Sequence, residues 1–216
     1  MIKIENVVTP SPEQWEAVIR GVRNPFNSWT KSDTKYTDSD YDKHTITIGK
    51  NDLTLMNRLA NAGDDHGKFM RMLPVIVGSL KAPLYFWKQL DTYKIGTVAD
   101  SCSTMHMLTA RPFEHGDFSF DYCGEEIENA YMGVLNRMWE HWNDQKDEEE
   151  KKKIWYMINE LLPNCYNQVR TWSANYQTLK HIYHARKNHK LKEWHDFCDW
   201  IETLPYAKEL IIGEME

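Results

Sequence analysis

The run Thr171-Trp-Ser-Ala-Asn-Tyr-Gln-Thr-Leu-Lys-His-Ile-Tyr-His-Ala-Arg186 joins two kinds of local order. Thr171, Trp172 and Ser173 read as the end of a strand, because β-branched and aromatic residues suit a pleated, half-buried surface. Asn175 then stands where a helix begins. Its short amide can accept a hydrogen bond from first-turn backbone N–H groups that have no partner within the helix. Leu179, Ile182, Tyr183 and Arg186 follow at helical spacing.

Outward from this junction the chain alternates helices with a few apolar runs. Upstream, a helix over Asp121–Asn143 places Ile127, Tyr131, Val134, Leu135 and Met138 inward. A charge run over 144–153 suits an exposed helix face through Glu148/Lys152 and Glu149/Lys153, and this helix continues to Leu162 and stops at Pro163. Nearer the start, Ser11 caps a helix with Pro12 at its first position, running through Trp15, Val18 and Ile19 to about Arg23. Residues 24–44 are polar and read as a long loop, ordered by a ligand or a partner subunit. Asn51-Asp52 caps a second helix with Leu53, Met56, Leu59 and Ala60 on one face, closed by Gly63. Met72–Leu80 is a buried strand, Ala82-Pro83 begins a helix through Phe86, Gln89 and Leu90, and 95–105 is a small-residue loop. After Arg186 a last helix completes a pair. Helices with a few strands make the class α+β.

At 216 residues, with 41% hydrophobic and 27% charged residues, the chain is read as one domain over 1–216. A formal net charge of −6 argues against general nucleic-acid binding but leaves room for one basic pocket. No run is long enough for a membrane helix, and the N-terminus lacks a signal-peptide core, so the expected location is cytoplasmic. Cys102, Cys123, Cys165 and Cys198 form no CxxC and read as reduced thiols. Neither GxSxG, Walker A nor GxGxxG is found.

Three segments, in order, resemble the flavin-dependent thymidylate synthase family. Val22-Arg23-Asn24-Pro25-Phe26 is similar to an A-R-x-S-F segment. Ala82 to Thr104 resembles a stretch with an Ala-Pro start, a Gln, and then R-H-R-x-x-S-x-N-E-x-S-x-R. Leu162-Pro163 through Arg186 aligns without a gap with a segment ending in T-W-T-x-N and a Leu-Arg helix. The resemblance implies a central, mostly antiparallel sheet flanked by helices with a helix-rich C-terminal half, and a homotetramer with shared active sites. It implies FAD as cofactor, NADPH and methylenetetrahydrofolate as co-substrates, and one-carbon transfer to C5 of a pyrimidine nucleotide such as dUMP. It places Gln89, Ser103, Thr104 and Arg186 on the nucleotide, with Arg186 polarising a ring carbonyl, and Lys94, Thr97, Asn175 and His181 on the flavin.

The departures concern charge. The R-H-R triplet becomes Thr92-Tyr93-Lys94, the Glu becomes Asp100, the next Ser becomes Cys102 and the final Arg becomes Thr104; a phosphate-gripping Arg becomes Asn159. Each Arg–phosphate contact contributes about 1.5–3 kcal/mol. Losing two or three removes roughly two to six decades of affinity. Lys94 keeps one charge as a point rather than a fork. The phosphate grip is therefore altered. One alternative is a homologue that has lost catalysis and binds a nucleotide or flavin in a regulatory or structural role. Another is a metal-dependent hydrolase built on His181, His184, His189 and His195 with Glu193 or Glu202. Plain structural roles also stand: Asn175 as a helix cap, Arg186 as a surface cation at a helix end, Gln89 as an ordinary helix residue, Trp87, Trp172 and Trp194 as core, and Cys102 as inert.

Overall fold

A computed structural model describes residues 2–39 and 42–214. Its strands are β1 (Lys3–Val8), β2 (Lys35–Ser39), β3 (Asp42–Thr47), β4 (Pro74–Pro83), β5 (Val98–Ser101) and β6 (Asn167–Asn175). Its helices are α1 (Pro12–Arg23), α2 (Lys50–Asn61), α3 (Leu84–Leu90), α4 (Thr104–Met107), α5 (Glu125–Asp144), α6 (Glu148–Glu160), α7 (Tyr176–Arg186) and α8 (Lys192–Glu202). A four-stranded antiparallel sheet in the order β1-β4-β6-β5, flanked by helices, confirms the α+β class. The chain divides into two compact units: Met1–Glu5 with Ser79–Thr92 and Ala99–Thr171, and Asn6–Gly78 with Tyr93–Val98 and Trp172–Glu216.

The first unit is built on the α5–α6 hairpin. Leu108, Phe113, Phe118, Met132, Leu135, Ile154 and Ile158 form its core, with Phe120 stacked on Phe118 at 5.3 Å between ring centroids. Two sequence expectations are corrected here. Ile127 and Val134 face out, and Met132 takes the inward position beside Leu135. The long helix also breaks at 145–147, where Asp147 accepts from the N–H groups of Glu149 and Glu150 and starts α6 afresh. Among the described residues the ion pair formed in this run is Glu150–Lys153, one turn apart. The 95–105 loop contains strand β5 and the start of the short helix α4.

The second unit gathers α1, α2, α7 and α8. Ser11 caps α1 with Pro12 at its first position, as the sequence predicts, and Gln14 completes a capping box. Trp15 is buried edge-on against Tyr176 at 5.6 Å and Tyr206 at 5.3 Å. The 24–44 stretch is not one loop: it holds two 3-10 turns and strand β2, which pairs antiparallel with β3, Tyr36 opposite Ile46. Positions 40 and 41 of that stretch lie outside the described residues. The second helix begins at Lys50 after Gly49, and its cap is supplied by Asp33, which accepts from the N–H groups of Asn51 and Asp52. Asp52 is instead fully buried and bonded to Arg23 at 2.5 Å. Gly78 lies so close to Asn6 that a Cβ would meet the Asn6 Cβ at 2.9 Å, and Asn6 itself adopts φ 56°. The two residues make a local irregularity that only a glycine fits.

Candidate functional site

The junction of β6 and α7 is as the sequence predicts. Asn175 is extended (φ −122°, ψ 167°) and its amide oxygen accepts from the Thr178 N–H at 3.0 Å. Leu179, Ile182 and Tyr183 are buried, Arg186 is half-buried, and α7 ends at Arg186. The segment Tyr93–Val98 is fastened to this helix. The Thr178 hydroxyl donates to the Ile95 carbonyl at 3.0 Å, and the Thr97 hydroxyl donates to the Tyr93 carbonyl. Gly96 has φ +77°, and a Cβ there would fall 2.5 Å from the Asn175 side-chain nitrogen. Thr97 and Asn175 thus serve one locally bonded junction, while Lys94 beside them is exposed.

Arg186 reaches the same segment. Its Nε donates to the Tyr93 hydroxyl at 2.8 Å. Its guanidinium carbon lies 4.8 Å from the Trp194 ring centroid and 5.5 Å from that of Tyr93. Such contacts hold a cation by the ring quadrupole. Among the described residues no carboxylate pairs with Arg186, and its two terminal nitrogens carry no hydrogen bond. Its surroundings are basic. Burial, and then Arg186, His195 and Lys190, hold the His189 imidazole below its ordinary pKa. A cation stacked on aromatic rings with its fork unpaired is a donor set for a carbonyl or an anion.

His181 lies elsewhere on α7, in a cleft of about 520 Å³ with Asn61, Asp64, Gln177, Lys180 and His184 and an apolar floor that includes Ala60, Met70 and Ala185. Lys180 Nζ donates to the Ala60 carbonyl at 2.9 Å and to the Asn61 amide oxygen at 2.7 Å, and burial lowers its pKa. His184 Nε2 lies 3.0 Å from the Ile211 carbonyl, so that nitrogen carries the proton and Nδ1 is left bare in the neutral ring. His181 faces Asp64 at 3.3 Å. Hydrogen bonds from Gln177 and His181 hold the Asp64 carboxyl below its usual range. Gln177 Oε1 is buried without a partner.

Gln89, Ser103 and Thr104 belong to the other unit. Gln89 sits in the last turn of α3, half-buried, its carbonyl accepting from the Thr92 hydroxyl at 2.7 Å. Ser103 and Thr104 start α4 and are half-buried. The loop is fixed by residues the sequence reading missed. Gln168 Nε2 donates to the Cys102 carbonyl at 2.8 Å, and Trp87 Nε1 donates to the Gln168 carbonyl at 3.0 Å. Arg170 stacks 4.2 Å over Trp87 and pairs with Asp91 at 2.9 Å. No local signal marks Gln168 and Arg170, since polar residues alternating along a strand read as its solvent face. Trp87, Trp172 and Trp194 are all core residues, Trp194 being also the platform for Arg186.

The hydrolase reading is not supported. Among the described residues no three His, Cys, Asp or Glu side chains are grouped to hold a metal. His184 is bonded to the Ile211 carbonyl and His195 to the His189 carbonyl. No helix among the described residues is long and apolar enough to cross a membrane.

No family model matches the sequence. No curated protein matches it either. Solved structures do. Thymidylate synthase X from Helicobacter pylori with FAD and dUMP aligns over 97% of this chain and 96% of its own, with a TM-score of 0.67 at 16% identity. A second structure, flavin-dependent thymidylate synthase from Helicobacter pylori complexed with FAD and dUMP, aligns over 100% and 99%, with a TM-score of 0.66 at 16% identity. The β6–α7 junction thus sits in a chain with the fold of the flavin-dependent thymidylate synthases.

Proposed function

We propose that this chain is a flavin-dependent enzyme that transfers a one-carbon unit to C5 of a pyrimidine deoxynucleotide such as dUMP. NADPH serves as reductant and methylenetetrahydrofolate as donor. The observation that carries the reading is Arg186: a half-buried guanidinium, fixed by Tyr93 and Trp194, without a carboxylate partner among the described residues. The fold neighbours, which hold FAD and dUMP, support the ligand classes.

The residues present fit a flavin. The α7 cleft is within the roughly 300–1,000 Å³ usual for cofactor pockets. The buried Gln177 Oε1 lacks a donor, and a ring N–H would supply one. His181, Lys180 and Gln177 would hold the flavin there; Lys94, Thr97 and Asn175, which lie at the β6–α7 junction and not in this cleft's lining, enter the proposal through the family resemblance alone. When bound, the flavin supplies hydride and one-carbon transfer chemistry. The chain's part is to bind, orient and polarise. Arg186 donates to a carbonyl of the pyrimidine ring, whose oxygen gains negative charge when a nucleophile adds at C6 and makes C5 nucleophilic. The family resemblance also assigns Gln89, Ser103 and Thr104 of the first unit to nucleotide binding, and these are neutral hydrogen-bonding groups, in keeping with an altered phosphate grip. Self-association into a homotetramer belongs to the proposal; exposed Ile127 on α5 and Tyr156 and Met157 on α6 give one unit apolar surface to cover. A cytoplasmic location is in keeping with these co-substrates.

The test is tritium release from C5-tritiated dUMP with FAD, NADPH and methylenetetrahydrofolate. Release that is abolished by Arg186→Ala is the expected result. Binding of FAD and dUMP without release would favour the non-catalytic homologue, to which the substitutions at Thr92-Tyr93-Lys94, Thr104 and Asn159 point.

A further inference from the structure

We infer that Tyr93 is a second catalytic residue, acting with Arg186 as a two-donor unit on the ring carbonyl of the pyrimidine. The inference rests on the reading above and assigns a role to a residue that replaces the His of the family triplet. The hydrogen-bond inventory carries it. The Tyr93 hydroxyl accepts from Arg186 Nε at 2.8 Å. Arginine has no acceptor, so the phenol keeps its own proton. Among the described residues nothing accepts that proton, just as nothing accepts from the two terminal nitrogens of Arg186. The phenol O–H and the guanidinium N–H groups are therefore adjacent unmatched donors. The chain holds them in place: Tyr93 is edge-on to Trp194 at 6.2 Å, and Arg186 lies over both rings.

Two features make this more than packing. A hydroxyl that accepts from a cation is a stronger donor, because hydrogen bonds in a chain polarise one another. The neighbourhood is also basic: Lys187, His189, Lys190 and His195 lie on or beside the same helix end, and burial together with Arg186, His195 and Lys190 opposes protonation of His189. Adjacent donors in a basic setting call for an oxygen bearing negative charge, as a pyrimidine carbonyl does when its ring is attacked. The acids on the first turns of α8 are buried Glu193 and half-buried Asp196, whose Oδ1 accepts from Lys192 and whose Oδ2 is buried without a donor, so neither Asp196 oxygen takes a bond from Arg186 or Tyr93.

The test compares wild type with Tyr93→Phe, which keeps the ring and removes the hydroxyl. Three quantities are read: dUMP affinity by tryptophan fluorescence, kcat and KM from tritium release, and the Arg186 Nε–H signal by nitrogen NMR. The expected result is dUMP affinity and KM within about threefold of wild type and kcat lower by about 10–100-fold, as for loss of a donor that acts on developing charge. The Arg186 Nε–H signal shifts. The double variant Tyr93→Phe/Arg186→Lys is no slower than Arg186→Lys alone, as for residues that act as a unit. A Tyr93→Phe variant with wild-type kcat overturns the role of Tyr93 and leaves the proposed function standing. So does one whose kcat and KM change only in step with a lost melting temperature. A wild-type protein that binds no dUMP overturns both.

Discussion

Asp52→Asn tests how the second unit is held together. Arg23 and Asp52 are 5% and 0% exposed, and both carboxylate oxygens of Asp52 accept hydrogen bonds. Oδ1 accepts from Arg23 Nε at 2.5 Å. Oδ2 accepts from the Ser32 hydroxyl at 2.7 Å, the Thr34 hydroxyl at 2.6 Å, and the N–H groups of Thr34 at 3.1 Å and Asp33 at 3.2 Å. Asparagine must turn its NH₂ towards one of these donor groups, and it leaves the Arg23 charge buried and uncompensated. Breaking one side of a buried pair costs about 3–5 kcal/mol. At about 2–4 °C per kcal/mol for a chain of this length, the melting temperature falls by about 6–20 °C. The pH dependence has a fixed sign. Burial pushes the Asp52 carboxyl up, but bonds from Ser32, Thr34 and Arg23 outweigh it and hold its pKa below the ordinary value. A depressed carboxylate contributes its full stability above the unfolded pKa of about 3.9 and loses it as pH falls through the folded value. The gap between wild type and Asp52→Asn, measured by circular dichroism melts, is therefore full at neutral pH and closes in acid. A neutral-pH difference under about 2 °C would refute the assigned structural role.

Other substitutions probe the junction and the thiols. Gly96→Ala places a Cβ at φ +77° against Asn175 and lowers stability by about 1–3 kcal/mol, read as a lower melting temperature; an unchanged melt would show that the 93–98 segment is not fastened to α7. Asn175→Ala costs about 0.5–2 kcal/mol through the lost cap, and Asn175→Asp restores most of it in the same assay. In alkylation followed by mass spectrometry, exposed Cys102 and Cys123 react fast. Cys198, buried and with its thiol pushed up to about 12, reacts only on unfolding.

The sequence shows most clearly those features whose causes are local. The Ser11 cap, the Asn175 cap and the helical spacing of α7 each depend on residues close together in the chain, and all are found where expected. The reading fails where a distant residue decides. Asp52 has the composition of a cap, yet Arg23 draws it into the core and Asp33 takes over the capping. The 24–44 stretch is polar enough for a loop, but pairing with β3 makes part of it a strand. Periodicity alone cannot choose between Val134 and Met132 as the inward residue of α5; the facing α6 settles it. The place of Arg186 at the end of α7 is legible from the helical spacing, whereas its clamp by Tyr93, 93 positions away, and the contacts of Gln168 and Arg170 depend on the folded chain.

The most direct measurement is of bound flavin. The purified protein is incubated with FAD, freed of excess by gel filtration, and scanned before and after addition of dUMP. The expected result is flavin absorbance that travels with the protein and a spectrum that shifts when dUMP binds, with the dUMP response lost in Arg186→Ala. A colourless protein that retains no FAD, and whose tryptophan fluorescence ignores dUMP, would contradict it.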